Sequence, residues 1–92
     1  MNDSQDTNYT EQDALDAAWE AYRRAHNHEY DDYLILAEDC IDDQLGIYPS
    51  EELLSYVRNA IDMAIREVLA GAQPDKQRFV EEMEPFTGEL RP

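Results

Sequence analysis

The apolar residues of this chain recur with the spacing of an α-helix, and this periodicity constrains its fold more than any other feature. Between about residues 10 and 27, apolar side chains lie three, four and seven residues apart, so they share one helical face. The members of this face are Leu15, Ala18, Trp19, Tyr22 and Ala25. No segment alternates with a period of two for long enough to indicate a strand. The pattern predicts an all-α protein.

Capping residues and glycines delimit the first three helices. Thr10 and Ser50 are suitable N-cap residues for the first and third helices, because a hydroxyl accepts a bond from an unpaired N–H of the first turn. The second helix is predicted over roughly residues 30–45. Gly46 and Gly71 suit the left-handed position after the second and third helices. The third helix has the longest apolar stripe, so we expect it to form the centre of the core.

A short fourth helix is predicted near the C-terminus. Pro74 stands where proline is favoured, at the first helical position, and Pro85 is expected to end the helix. Phe79, Val80 and Met83 provide a short apolar edge. The predicted fold is therefore a small helical bundle of three main helices plus a short C-terminal helix.

The length of 92 residues corresponds to one domain. We expect residues 10–85 to form a single helical domain. Residues 1–9 carry no apolar period, and residues 86–92 contain proline, glycine and charges of both signs, so these segments are predicted to be flexible N-terminal and C-terminal tails.

The charge balance excludes several classes of partner. Twenty-two Asp and Glu residues against seven Lys and Arg residues give a net charge of -15. Nucleic acid and anionic membranes would both repel such a chain, so neither is an expected direct partner. No apolar run approaches the roughly 18 residues of a membrane span, and the N-terminus has no signal-peptide pattern. A cytoplasmic location is expected.

The chain holds few groups suited to catalysis or metal binding. His26 and His28 are two residues apart, and such positions on a helix point in different directions, so a helix-terminus or turn role is favoured over a metal site. Cys40 lies on the apolar face of the second helix with acids as its neighbours in sequence, which does not favour a reactive thiolate. Phosphate-binding and calcium-binding loops are absent from the sequence. We expect a protein that is not an enzyme and needs no cofactor.

Carboxylates dominate the middle of the chain. From Ala25 to Val57 the sequence contains nine acids and no lysine or arginine. Six of the nine acids form one sector of the second helix, which a single isoleucine interrupts. The sector consists of Asp31, Asp32, Ile35, Glu38, Asp39, Asp42 and Asp43. Like charges four residues apart destabilise a helix by about 0.2–0.5 kcal/mol per pair, so folding alone does not select this pattern. These residues are the candidate partner-binding surface.

Tyr30 and Tyr33 lie beside the acidic sector and are further candidates for partner binding. The chain has six tyrosines. They either line the rim of a small core with their hydroxyls in water, or anchor a protein interface, where tyrosine is enriched. The sequence leaves both interpretations open.

The spacing of the carboxylates is similar to that of phosphates in DNA. Residues 31–43 span roughly 19 Å as a helix, and their six carboxylates give one charge per about 3.2 Å. One strand of B-DNA carries one phosphate per about 3.4 Å. A basic groove suited to phosphates would therefore meet a similar linear charge density on this helix.

These observations favour a non-catalytic inhibitor that imitates DNA and blocks the basic surface of a nucleic-acid-handling protein. In length and acidity the chain resembles phage-encoded anti-restriction and anti-CRISPR proteins, although no shared motif supports the comparison. One alternative is an immunity protein or antitoxin that neutralises a cognate nuclease toxin. Another is a structural or adaptor module whose acidity serves solubility. The extent of apolar surface leaves a homodimer open.

Overall fold

The computed structural model contains four helices. It describes residues 9–27, 32–88 and 90, and for residues 33 and 34 it describes the backbone alone. The helices are α1 (Glu11–His26), α2 (Tyr33–Leu45), α3 (Glu51–Ala70) and α4 (Lys76–Thr87). No strand occurs within these described ranges. The predicted all-α fold of three main helices and a short C-terminal helix is confirmed.

Local hydrogen bonds set the limits of α1 and α3, as predicted. The Thr10 hydroxyl accepts a bond of 3.0 Å from the Asp13 N–H, and the Asp13 carboxylate accepts one of 3.0 Å from the Thr10 N–H. This reciprocal pair is a capping box. The Ser50 hydroxyl accepts a bond of 3.2 Å from the Leu53 N–H at the start of α3. Gly71 follows α3 with φ of 78°, a left-handed conformation that favours glycine.

Helix α2 begins later than predicted. Residues 30 and 31, which the periodicity assigned to this helix, lie outside the described residues, and the helix begins at Tyr33. The Asp32 carbonyl accepts the first helical bond, from the Leu36 N–H at 2.9 Å. Gly46 follows the last helical residue with φ of 64°, which confirms the predicted end.

The predicted start of α4 is wrong by two residues. Pro74 is not the first helical residue, because Asp75 intervenes as the N-cap and Lys76 is the first residue of α4. The Asp75 carboxylate accepts a bond of 3.1 Å from the Arg78 N–H. A carboxylate in this position satisfies a first-turn donor, which a proline side chain cannot do.

The predicted end of α4 is also wrong, because the helix continues through Pro85 to Thr87. Proline has no N–H, so residue 85 cannot donate to the Glu81 carbonyl, and the last turn depends on other contacts. The Thr87 hydroxyl donates to the Met83 carbonyl at 3.2 Å and lies 3.3 Å from the Tyr56 hydroxyl. Phe86 packs against the core. These contacts hold the final turn against the bundle.

The two predicted tails lie largely outside the described residues. This applies to residues 1–8, 89, 91 and 92. Tyr9 and Leu90, which also belong to the predicted tails, are buried, with 5% and 8% of their surfaces exposed. Phe86 and Thr87 of the predicted C-terminal tail form the end of α4. For the tail residues outside the description, flexibility stays a prediction.

Helices α1 and α3 each pack against all three other helices, so the predicted central position of α3 is shared with α1. Helices α2 and α4 make no contact with each other in the described part of the chain. Their outer faces are therefore separate surfaces of the molecule. None of the described helices is long and apolar enough to cross a membrane.

The predicted apolar face of α1 is turned toward the core, but it is wider than the five predicted residues. Ala18, Tyr22 and Ala25 are buried, whereas Leu15 and Trp19 are half-buried at the edge of the core. The structure also buries Ala14, Ala17 and Ala21. These small side chains allow α1 to lie close to α3, with Tyr22 buried between them and Leu15 and Trp19 packed at the edge of the core.

Candidate protein-binding surface

Helix α2 presents a continuous acidic surface to solvent. Its outer residues lie three, four, seven and eight positions apart, so they share one helical face. We term this set the acidic face, and it consists of Ile35, Glu38, Asp39, Asp42 and Asp43. All five are exposed. The opposite side of the helix is buried in the core through Leu36, Ala37, Cys40 and Ile41.

Ile35 is the apolar member of the acidic face. Its position on the helix predicts exposure, and 54% of its surface is exposed. Exposed single apolar residues are common on protein surfaces. At Ile35 the neighbours along the same face are carboxylates, so the face combines one apolar side chain with a row of negative charges.

Arg24 reaches the acidic face from α1. Its Nε lies 2.9 Å from the Glu20 carboxylate, and its Nη2 lies 3.2 Å from the Asp43 carboxylate. Spacing along the chain does not reveal this contact, because Arg24 and Asp43 are 19 residues apart. Arg24 therefore offsets part of the charge of Asp43 and joins α1 to α2.

The other carboxylates of the acidic face have no such partner among the described residues. Glu38, Asp39 and Asp42 make no ion pair there. Glu38 and Asp42 are four residues apart, so their like charges repel without local compensation. A basic partner would relieve this repulsion.

The remaining candidates adjoin the acidic face to different extents. Asp32 is exposed immediately before α2. Tyr33 is the first residue of α2, but its side chain lies outside the description, as do Tyr30 and Asp31 entirely. The roles predicted for these three residues stay predictions.

Cys40 lies beneath the acidic face and is fully buried. Burial raises the pKa of the Cys40 thiol to about 11, and the nearby Arg24 guanidinium lowers the pKa by less. The thiol is therefore protonated at neutral pH and inaccessible, and it behaves as a small apolar side chain.

A second polar group of residues lies elsewhere, where α1, α3 and α4 meet. We term it the Glu67 cluster, and it consists of Tyr22, His26, Glu67 and Arg78. The Tyr22 hydroxyl donates to Glu67 Oε1, and His26 Nε2 lies 2.8 Å from the same oxygen. Arg78 Nε donates to Glu67 Oε2 at 3.1 Å. One carboxylate thus connects three helices.

The environment of Glu67 stabilises its charged form. Burial alone raises the pKa of Glu67, but hydrogen bonds from Arg78, Tyr22 and His26 outweigh burial and hold the pKa below its ordinary value. The pKa of Tyr22 is raised, first by burial and then by its bond to Glu67. These groups therefore form a satisfied polar network, which indicates a structural role.

The sequence interpretation missed Glu67 and Arg78, although one signal was present. Glu67 continues the buried stripe of α3, three residues after Ala64 and seven after Ala60. An acid on an apolar stripe requires partners, because burying an unpaired charge is costly. His26 lies in the last turn of α1, consistent with the predicted helix-terminus role, and His28 lies outside the described residues.

Metal chemistry finds no support among the described residues, where no group of three or more His, Cys, Asp or Glu side chains could hold an ion. The acidic face is thus the feature with the clearest chemical preference, which is for a cationic surface.

Scans against protein-family models, curated proteins and solved structures found no match to this chain.

Proposed function

We propose that this chain is a non-catalytic, cytoplasmic inhibitor that binds a basic, nucleic-acid-binding surface of a protein partner in the manner of a DNA mimic. The proposal rests on one observation: α2 exposes four carboxylates and one isoleucine on a single helical face. Glu38, Asp39 and Asp42 make no ion pair within the described residues.

The chemistry of the face matches the chemistry of a phosphate-binding groove. Carboxylates accept bonds from arginine and lysine in geometries similar to those of phosphate oxygens. Binding would replace repulsion between Glu38 and Asp42 with attraction to the cations of the partner. Ile35 adds a contact that phosphates lack, and an apolar anchor surrounded by charged residues is a common arrangement in protein interfaces.

The test compares proteins captured by the wild-type chain with those captured by a variant in which Asp39 and Asp42 are replaced by asparagine. We expect a basic DNA-binding or RNA-binding protein to be retained only by the wild type, and a short DNA duplex to displace it. Binding should weaken steeply between about 0.1 M and 1 M salt, because the Debye length falls from about 10 Å to about 3 Å. A captured protein that duplex DNA fails to displace would contradict the proposal.

Ile35 provides a separate prediction for the same surface. We expect Ile35→Asp to reduce partner affinity at least about tenfold, which corresponds to about 1.4 kcal/mol. The free energy of unfolding should fall by no more than about 1 kcal/mol, because half of the side chain is already exposed.

Val80→Asp on α4 is the matched control, because Val80 is also an exposed aliphatic residue, at 38%, and the charge change is the same. Affinity can be measured by calorimetry and stability by urea denaturation. If the wild type and Ile35→Asp bind the partner with equal affinity, Ile35 is not part of the interface.

A further inference from the structure

An open groove runs between α3 and α4, away from the acidic face. It has a volume of about 640 Å³, and Met63, Ile65 and Phe86 are among its apolar lining residues. A shallower extension of about 270 Å³ shares Met63 with the groove and continues to Ala70 and Ala72. The groove exposes apolar surface in a protein that is otherwise highly charged.

Three charged residues line the groove, Asp62 and Arg66 on α3 and Glu82 on α4, and the two on α3 can pair with the same two residues of a second copy. Asp62 and Arg66 lie one turn apart on the outer side of α3, both are exposed, and both line the groove. Neither makes an ion pair within the described residues. Consider a second copy related by a two-fold axis that is perpendicular to α3 and lies midway between Asp62 and Arg66. The two α3 helices then run antiparallel, and Arg66 of each copy lies opposite Asp62 of the other.

The same register explains an exposed leucine. Leu69 follows Arg66 on the outer side of α3, and 82% of its surface is exposed. In the antiparallel arrangement, Leu69 of a second copy lies level with Asn59, which lines the far end of the groove together with Phe86. One symmetry operation would therefore pair the charges and bring Leu69 of each copy beside the groove of the other.

We propose that the α3–α4 groove is a homodimer interface, in which α3 packs antiparallel to α3 of a second copy. The charge of -15 on each copy opposes association at long range. The residues that line the groove belong to α3 and α4 and none belongs to α2, so the acidic face does not line this interface. Salt screens the two exposed Asp62–Arg66 pairs as well as the repulsion between two copies of charge -15, but it leaves apolar burial in place. Because the repulsion involves many more charges than the two pairs, dimerisation should strengthen as salt rises, opposite to binding through the acidic face.

The test measures mass in solution by sedimentation velocity and light scattering over a range of concentrations. We expect the wild type to form a dimer. Arg66→Asp should raise the dimer dissociation constant at least about tenfold, because both symmetry-related contacts then oppose two carboxylates. Asp62→Arg should have a similar effect. The double variant Asp62→Arg/Arg66→Asp restores both opposite pairs and should dimerise as the wild type does.

Arg23→Asp on α1 is the control for net charge, since it changes the charge by the same amount outside the groove, and it should leave the dimer intact. Thermal melting followed by circular dichroism verifies that each variant is folded. A wild type that stays monomeric at every concentration overturns the proposal, as does a folded charge-swap variant that stays monomeric. Neither result bears on the acidic face, because Asp62 and Arg66 lie on a different helix.

Discussion

The double variant Asp39→Lys/Asp42→Lys is expected to lose at least about a hundredfold in affinity for the basic partner, or roughly 3 kcal/mol. The introduced lysines would face arginines and lysines of the partner, and like charges opposed at an interface cost several kcal/mol. Asp43 is left unchanged because Arg24 pairs with it at 3.2 Å.

Stability should hold or rise slightly in this variant. A lysine in place of Asp42 turns its repulsion with Glu38 into attraction, and a lysine in place of Asp39 does the same for the contact with Asp43. Each change is worth a few tenths of a kcal/mol, of the order of 0.2–0.5. Urea denaturation measures this gain in stability, and calorimetry with the captured partner measures affinity.

Glu81→Lys/Glu84→Lys on α4 is the matched control. Both glutamates are exposed and three residues apart, as Asp39 and Asp42 are, and the change in net charge is identical. If both double variants weaken binding equally, total charge rather than the acidic face governs association. If the α2 variant binds at the original affinity, the interface lies elsewhere.

The second large effect concerns stability at Glu67. Glu67→Ala should lower the free energy of unfolding by about 3 kcal/mol, because Tyr22, His26 and Arg78 would all lose their shared acceptor. For a domain of this size, such a loss lowers the melting temperature by roughly 15 °C. Glu84→Ala, which removes an exposed carboxylate, should change stability by less than about 0.5 kcal/mol.

The contribution of Glu67 should also depend on pH. Its pKa is lower in the folded protein than in the unfolded chain, so the stabilisation is fully present above the unfolded pKa and is lost as pH falls through the folded pKa. The difference in unfolding free energy between the wild type and Glu67→Gln should therefore shrink on acidification. A difference that stays constant with pH would show that the contribution does not come from the charge of Glu67. A Glu67→Ala variant as stable as the wild type would show that the cluster contributes little.

A measurement of partner affinity distinguishes the role of the Glu67 cluster from that of the acidic face. Below its melting temperature, Glu67→Ala should bind the partner as the wild type does, because Glu67 touches α1 and α4 but no residue of the acidic face. The α2 double variant should therefore change partner affinity with little effect on stability, whereas Glu67→Ala should change stability and not partner affinity.

Local interactions explain what the sequence determined. The Thr10 and Ser50 caps join residues three positions apart, and the φ of Gly71 depends on its own lack of a side chain. Such features can be read from neighbouring residues alone. The exposure of Ile35 and Asp39 follows in the same way, because helical geometry separates the two faces of α2 once the apolar residues are buried.

The tertiary structure decided which residues meet across helices. Arg24 and Asp43 are 19 residues apart, and Tyr22 and Glu67 are 45 apart. Their contacts depend on the distance and angle at which α1 packs against α2 and α3, and small alanines on α1 set that approach. The α3–α4 groove depends likewise on how α4 lies against α3. Periodicity fixes the face that each residue occupies, but the side chain opposite depends on packing between helices, which no spacing along a single helix specifies.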